Sequence, residues 1–110
     1  TVAAAEDAGD VMVIWVDDDG CVTVPESCGL FLTNVLKLMN NSAFEATNDV
    51  IEGDFTGGLF VGTLENGGVD LAPYHEFEDE VPQELRDKID ELKQGIIDGS
   101  VSVDPKDYPA

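Results

Sequence analysis

The chain has 110 residues, enough to bury one core and no more. Its 24 acidic side chains face only five basic ones (Lys37, Arg86, Lys88, Lys93, Lys106), for a net charge of −19. That balance excludes nucleic acid as a partner, since nothing here could neutralise a run of phosphates. An apolar content of 43 % excludes disorder of the whole chain, and no apolar run approaches the length of a membrane span. An acidic surface of this kind more often serves solubility or a saline habitat than a dedicated cationic partner.

"TVAAAEDAGD" reads as the last turns of a helix stopped at Gly9, with no N-cap before it. From this the chain is expected to be a single fragment, residues 1–110, of a longer protein, with no domain boundary inside it. It carries no basic segment followed by an apolar one, the pattern of a signal peptide. Val11 to Val16 is a continuous apolar run containing β-branched residues and Trp15, which suits a strand covered on both faces. Gly20 to Gly29, with Pro25, reads as a loop, and "LFLTNVLKLM" (Leu30 to Met39) as a strand for at least part of its length.

Ser42 and Glu45 have the spacing of a capping box, and Phe44, Thr47, Val50 and Ile51 then share a helical face until Gly53. A strand is predicted over Leu59 to Leu64, a turn at Asn66-Gly67-Gly68, and an extended piece over Val69 to Leu71. Pro82 suits a first helical position. Leu85, Ile89, Leu92 and Ile96 make one apolar stripe on a helix ending at Gly99, with Glu84–Lys88 as an i, i+4 pair on its wet face. The tail "SVSVDPKDYPA" reads as short and extended. This order of elements points to an α/β fold, a parallel sheet with flanking helices. Ligand sites gather at strand ends in such sheets, which singles out Asp17 and Lys37, each closing an apolar run.

The run Asp17-Asp18-Asp19 invites a metal or phosphotransfer reading. A receiver domain would also need a phospho-acceptor Asp at a later strand tip and a Lys-Pro dipeptide; Leu59 to Leu64 ends in Glu65-Asn66, and no Lys-Pro occurs. An EF-hand loop begun at Asp17 would put Val22 at the glycine position and Cys28 at the closing glutamate. Three adjacent carboxylates in so acidic a chain are more simply a solvated loop, so no metal, cofactor or catalytic role is assigned. Cys21 and Cys28 match neither the redox C-x-x-C nor a common zinc spacing, with His75 the one histidine. In an exported protein they would form a disulfide pinning the loop; in the cytosol they would be ordinary thiols. His75, in "APYHEFEDE", reads as a turn histidine bonded to a nearby carboxylate or backbone group. Lys37, the only basic side chain before Arg86, either snorkels to the surface or offers a directed ammonium beside a carboxylate such as Asp17.

The succession "VIWVDDDG", "LTNVLK", "EGDFTGG", "NGGVDLAPYHEF" and "VPQELRDKIDELKQGIIDGSVSV" resembles the C-terminal part of the basic membrane protein (BMP) family, from about Val11 to Val103. These are substrate-binding lipoproteins of ABC transporters. The resemblance implies a type 1 periplasmic-binding-protein fold of two α/β lobes, an ABC permease as partner, and a lipid-anchored, extracytoplasmic location. Several members bind purine nucleosides and others bind different small molecules. In the nucleoside binders, the Asp ending a "GVDSDQ"-like strand and the Lys of an "LTSVVK"-like segment contact ribose hydroxyls; the matching residues are Asp17 and Lys37. Outside the cytosol, Cys21 and Cys28 are expected to be bridged. The chain departs from the family at Gly20, where a Gln-like position falls, and at Asn34, where a Ser does. One lobe segment alone would not bind ligand, and its uncovered apolar surface could pair with itself.

Overall fold

In the computed structural model, which describes residues 1–107, the chain forms two compact units: Thr1–Asp79 and the residues from Glu80 onward. The first unit opens with α1 (Val2–Ala8), stopped by Gly9 at φ 78°. Then come β1 (Val13–Asp17), a single helical turn α2 (Gly20–Thr23), a 3-10 helix over Pro25–Leu30, and β2 (Phe31–Lys37). Helix α3 (Met39–Glu52) ends at the left-handed Gly53, and β3 (Val69–Leu71) follows. A short 3-10 helix at His75–Phe77 closes the unit.

The sheet has the order β1-β2-β3 and is mixed. β1 and β2 run parallel, with Val16 opposite Val35 and Asp17 opposite Leu36; β3 is antiparallel to β2, with Val69 opposite Lys37. The expected all-parallel sheet is corrected by this last strand, for a topological reason. Leu38, just past the end of β2, donates its N–H to the Gly68 carbonyl at 2.9 Å. The chain thus re-enters the sheet at the edge where β2 leaves it, and can only run back.

Coverage of β1 also differs from expectation. Val13 and Trp15 are half-buried while Ile14 and Val16 are 59 % and 57 % exposed. One face of the strand is therefore packed and the other open. On the packed side the Trp15 and Phe31 rings lie 5.5 Å apart, and Phe31 is fully buried. The segment between β1 and β2 is helical where a loop was expected, with Ser27 buried and its hydroxyl donating to Glu6 of α1 at 2.9 Å.

Two local expectations fail for identifiable reasons. The capping box does not form, because α3 starts at Met39 and leaves Ser42 inside the helix. Asn41 instead donates to the Gly67 carbonyl at 2.8 Å, fastening the first turn of α3 to the turn before β3. Leu59 to Leu64 is not a strand. Asn66 takes up the backbone groups that a ladder would have used: its Oδ1 accepts from the N–H of Thr63 and of Gly68, and its Nδ2 donates to the Val61 carbonyl. Here Gly62 also packs directly against Gly68, where any Cβ would meet the Gly62 Cα at 2.3 Å.

The second unit is α4 (Gln83–Ile97) and its tail. Pro82 is the N-cap, one position earlier than expected, and Lys88 pairs with Glu91 at 2.8 Å, not with Glu84. Gly95 is buried, and its carbonyl accepts from the Val101 N–H at 2.8 Å, so the tail folds back on the helix end. Asp98 is held below the usual carboxylate range by hydrogen bonds from the Ser100 hydroxyl and then the Ser100 N–H. That local support exists above the ordinary carboxylate range and is lost as pH falls through the lowered value. The tail makes a 3-10 turn at Pro105–Asp107, and the rest of its sequence, from residue 108, lies outside the described residues.

Gly20 is a second tight point of the first unit. A Cβ there would sit 2.7 and 2.8 Å from the Phe31 ring and 3.0 Å from Asn34 Oδ1. Gly20→Ala is expected to destabilise the chain by about 1–3 kcal/mol, the scale of overpacking, read as a lower urea midpoint at unchanged slope.

Candidate functional site

Because β1 and β2 are parallel, their C-terminal ends fall at the same edge of the sheet, and β3 starts there. A cleft of about 400 Å³ opens at that edge. Asp17 and Lys37 both line it, with Val16, Val35 and Leu36 from the strands, Met39 and Ser42 from α3, and Phe60, Gly62, Gly68 and Val69 from the returning chain. Its walls are mainly apolar and its charges are one carboxylate and one ammonium, of opposite sign. Both charged side chains are exposed, and among the described residues no ion pair joins them. Each is therefore open to a third group.

Asp17 reaches this position through an unusual backbone. Its φ is 73°, and the Asp18 N–H donates back to the Val16 carbonyl at 3.0 Å. This is a γ-turn with a positive-φ central residue, the rarer and more strained hand. Aspartate tolerates the left-handed region better than most residues, yet the conformation still costs about 1 kcal/mol. The turn ends β1 abruptly and swings Asp17 out of the strand's alternation.

The neighbouring aspartates serve the scaffold. Asp18 Oδ1 accepts from the Asp19 N–H at 2.9 Å. Asp19 is the N-cap of α2: its Oδ1 accepts from the Cys21 N–H at 3.0 Å and from Asn34 Nδ2 at 3.3 Å. Its other oxygen lies 2.8 Å from His75 Nε2. A simple loop role for Asp19 is thus too weak a description, since one partly buried carboxylate joins α2, β2 and the turn after β3. Asn34 is its counterpart. Fully buried, it accepts at Oδ1 from the Gly20 N–H at 3.0 Å, and its main-chain carbonyl accepts from Ala72 at 2.9 Å.

Cys21 and Cys28 are bridged, with Cα atoms 4.5 Å apart, tying α2 to the following 3-10 helix. His75 is the turn histidine expected, bonded to a carboxylate and itself at φ 46°. Sequence reasoning did not anticipate that Asp19, Cys21 and His75 bring one donor atom each within 4.8 Å of one another. Neither spacing nor periodicity signals that meeting, because it depends on β3 returning beside β2. Among the described residues no helix is long and apolar enough to cross a membrane. No family model matches the chain, and no curated protein matches it.

Asn34→Leu leaves the Gly20 N–H and the Asp19 carboxylate short of partners, and should cost about 1–3 kcal/mol in chemical denaturation. Reducing the cystine releases an eight-residue loop and should remove about 2.5 kcal/mol, seen as a lower thermal midpoint with a phosphine reductant.

Proposed function

We propose that the chain is part of an extracytoplasmic solute receptor of an ABC importer, built as a segment of a type 1 periplasmic-binding-protein fold. It carries one half of a clamp for a nucleoside or a similar polar small molecule. The observation that carries this reading is the convergence of Asp17 and Lys37 on one cleft at the C-terminal ends of two parallel strands. A carboxylate can accept from two vicinal hydroxyls, and an ammonium beside it can donate to the same hydroxyls while balancing the charge. Strained backbone at Asp17 also favours a ligand role, since such strain concentrates where a side chain must be aimed.

Further support comes from an order of motifs that resembles the BMP family, in whose nucleoside binders the matching two positions contact ribose hydroxyls. The open face of the sheet, where Ile14, Val16 and Val35 lie exposed, is what a lobe segment would cover with the rest of its lobe. A permease partner and a lipid anchor belong to the same reading. The alternative, a metal-binding or phosphotransfer domain built on Asp17 to Asp19, has less support, because one oxygen of Asp18 accepts from the Asp19 N–H and one oxygen of Asp19 caps α2.

The test is calorimetric titration of purine and pyrimidine nucleosides into the protein that carries this chain, with Asp17→Ala and Lys37→Ala beside it. Each substitution should weaken binding about 10- to 100-fold, the worth of a hydrogen bond to a charged group. Unchanged affinity in both variants would remove the clamp. Stabilisation by magnesium, absent in Asp17→Ala, would favour the alternative.

A further inference from the structure

The clamp leaves the opposite side of the Asp17–Asp19 run unused, and there the structure assembles a second set of chemically distinctive side chains. Asp19, Cys21 and His75 each place one donor atom within 4.8 Å of the others, and Cys28 is covalently joined to Cys21. We propose that reduction of the Cys21–Cys28 disulfide opens a four-ligand site for a divalent ion of the zinc class, formed by the two thiolates, an Asp19 oxygen and His75 Nε2. The disulfide and the metal are then alternative states of the same four side chains. This holds whatever the clamp binds.

The donor set is the first argument. Two sulfurs, an imidazole and a carboxylate are ligands zinc accepts together, in tetrahedral geometry, at about 2.3 Å to sulfur and 2.0–2.2 Å to nitrogen and oxygen. Those bond lengths imply donor–donor edges of about 3.3–3.8 Å. His75 Nε2 and Asp19 Oδ2 are 2.8 Å apart and need to open slightly, while the Asp19, Cys21 and His75 donors all lie within 4.8 Å of one another, so none of these three needs to close by more than about 1.5 Å. Cys28 stands outside that cluster and joins it through Cys21, to which it is bonded. The Cys21 and Cys28 Cα atoms are 4.5 Å apart, close enough for both thiolates to reach one ion.

Pre-orientation is the second. Asp19 Oδ1 is fixed by the Cys21 N–H and by Asn34 Nδ2, leaving Oδ2 aimed at His75. Ligating carboxylates are held in this way by outer partners in metal sites. The side chains of Asp19 and His75 are 16 % and 28 % exposed, so an ion could enter and would still be largely enclosed. Oxidised, the site offers only the carboxylate and the imidazole, bonded to each other.

The chemistry balances with a dithiol as the reductant. The dithiol gives two electrons and two protons to the cystine, becoming a disulfide itself, and yields two cysteine thiols. Binding the ion displaces both thiol protons to solvent.

The experiment uses cobalt(II) as a spectroscopic stand-in for zinc, with the chain oxidised or reduced by a phosphine. Circular dichroism is recorded alongside. The reduced chain should take up one cobalt per molecule, with sulfur-to-cobalt charge transfer and tetrahedral visible bands that zinc abolishes. The oxidised chain should show neither. His75→Ala and Asp19→Asn should each weaken binding at least tenfold, the lower bound even for loss of an outer partner. Cys21→Ser should cut the charge-transfer band to about half, and Cys21→Ser with Cys28→Ser should remove it. Equal binding by oxidised and reduced chain overturns the proposal, as does undiminished affinity in His75→Ala. So does a reduced chain that loses its fold and does not regain it with cobalt.

Discussion

The buried amide of Asn34 is the interaction on which the first unit depends. A side chain with no exposure must have its polar atoms satisfied, because an unpaired buried group costs about 1–3 kcal/mol. Here Oδ1 accepts from Gly20 and Nδ2 donates to Asp19, so the start of α2 is fixed to the middle of β2. The same residue's carbonyl holds Ala72, carrying the β3 pairing one step beyond the strand. Asp19 then passes the constraint on to His75. With Phe31 beneath, this polar chain does the organising that a larger apolar core would otherwise do.

That contact also explains two positions that look unrelated in the sequence. Gly20 and Asn34 stand 14 positions apart in the chain, and in space they touch. Gly20 must lack a side chain, since a Cβ would strike both Phe31 and Asn34 Oδ1. Asn34 in turn supplies the acceptor that the Gly20 N–H requires. The two residues form one fitted pair.

Elements with strong local signals were legible in the sequence: α1 up to Gly9, the apolar strands β1 and β2, the Gly53 stop, the Val69 to Leu71 strand and the α4 stripe. Asp17 and Lys37 were legible as strand ends, and the cleft they share follows from parallel pairing. What was not legible is set by long-range geometry. Antiparallel β3 follows from where the chain re-enters the sheet, and the lost Leu59 to Leu64 strand from one asparagine claiming its backbone groups. The meeting of His75 with Asp19 depends on β3 returning beside β2, so no local pattern could reveal it.

The central place of β2 has a consequence for the order in which the unit is assembled. Its pairing with β1 closes a short stretch of chain, of which the cystine already cross-links part in the oxidised protein. Its pairing with β3 must close a longer stretch, through α3 and the irregular segment after it. Loop-closure entropy rises with length, by about 0.6 kcal/mol per doubling, so it favours β1–β2 as the earlier partnership. The wall of the cleft formed by Gly68 and Val69 is then the last part to arrive, and the first to leave when the chain loosens.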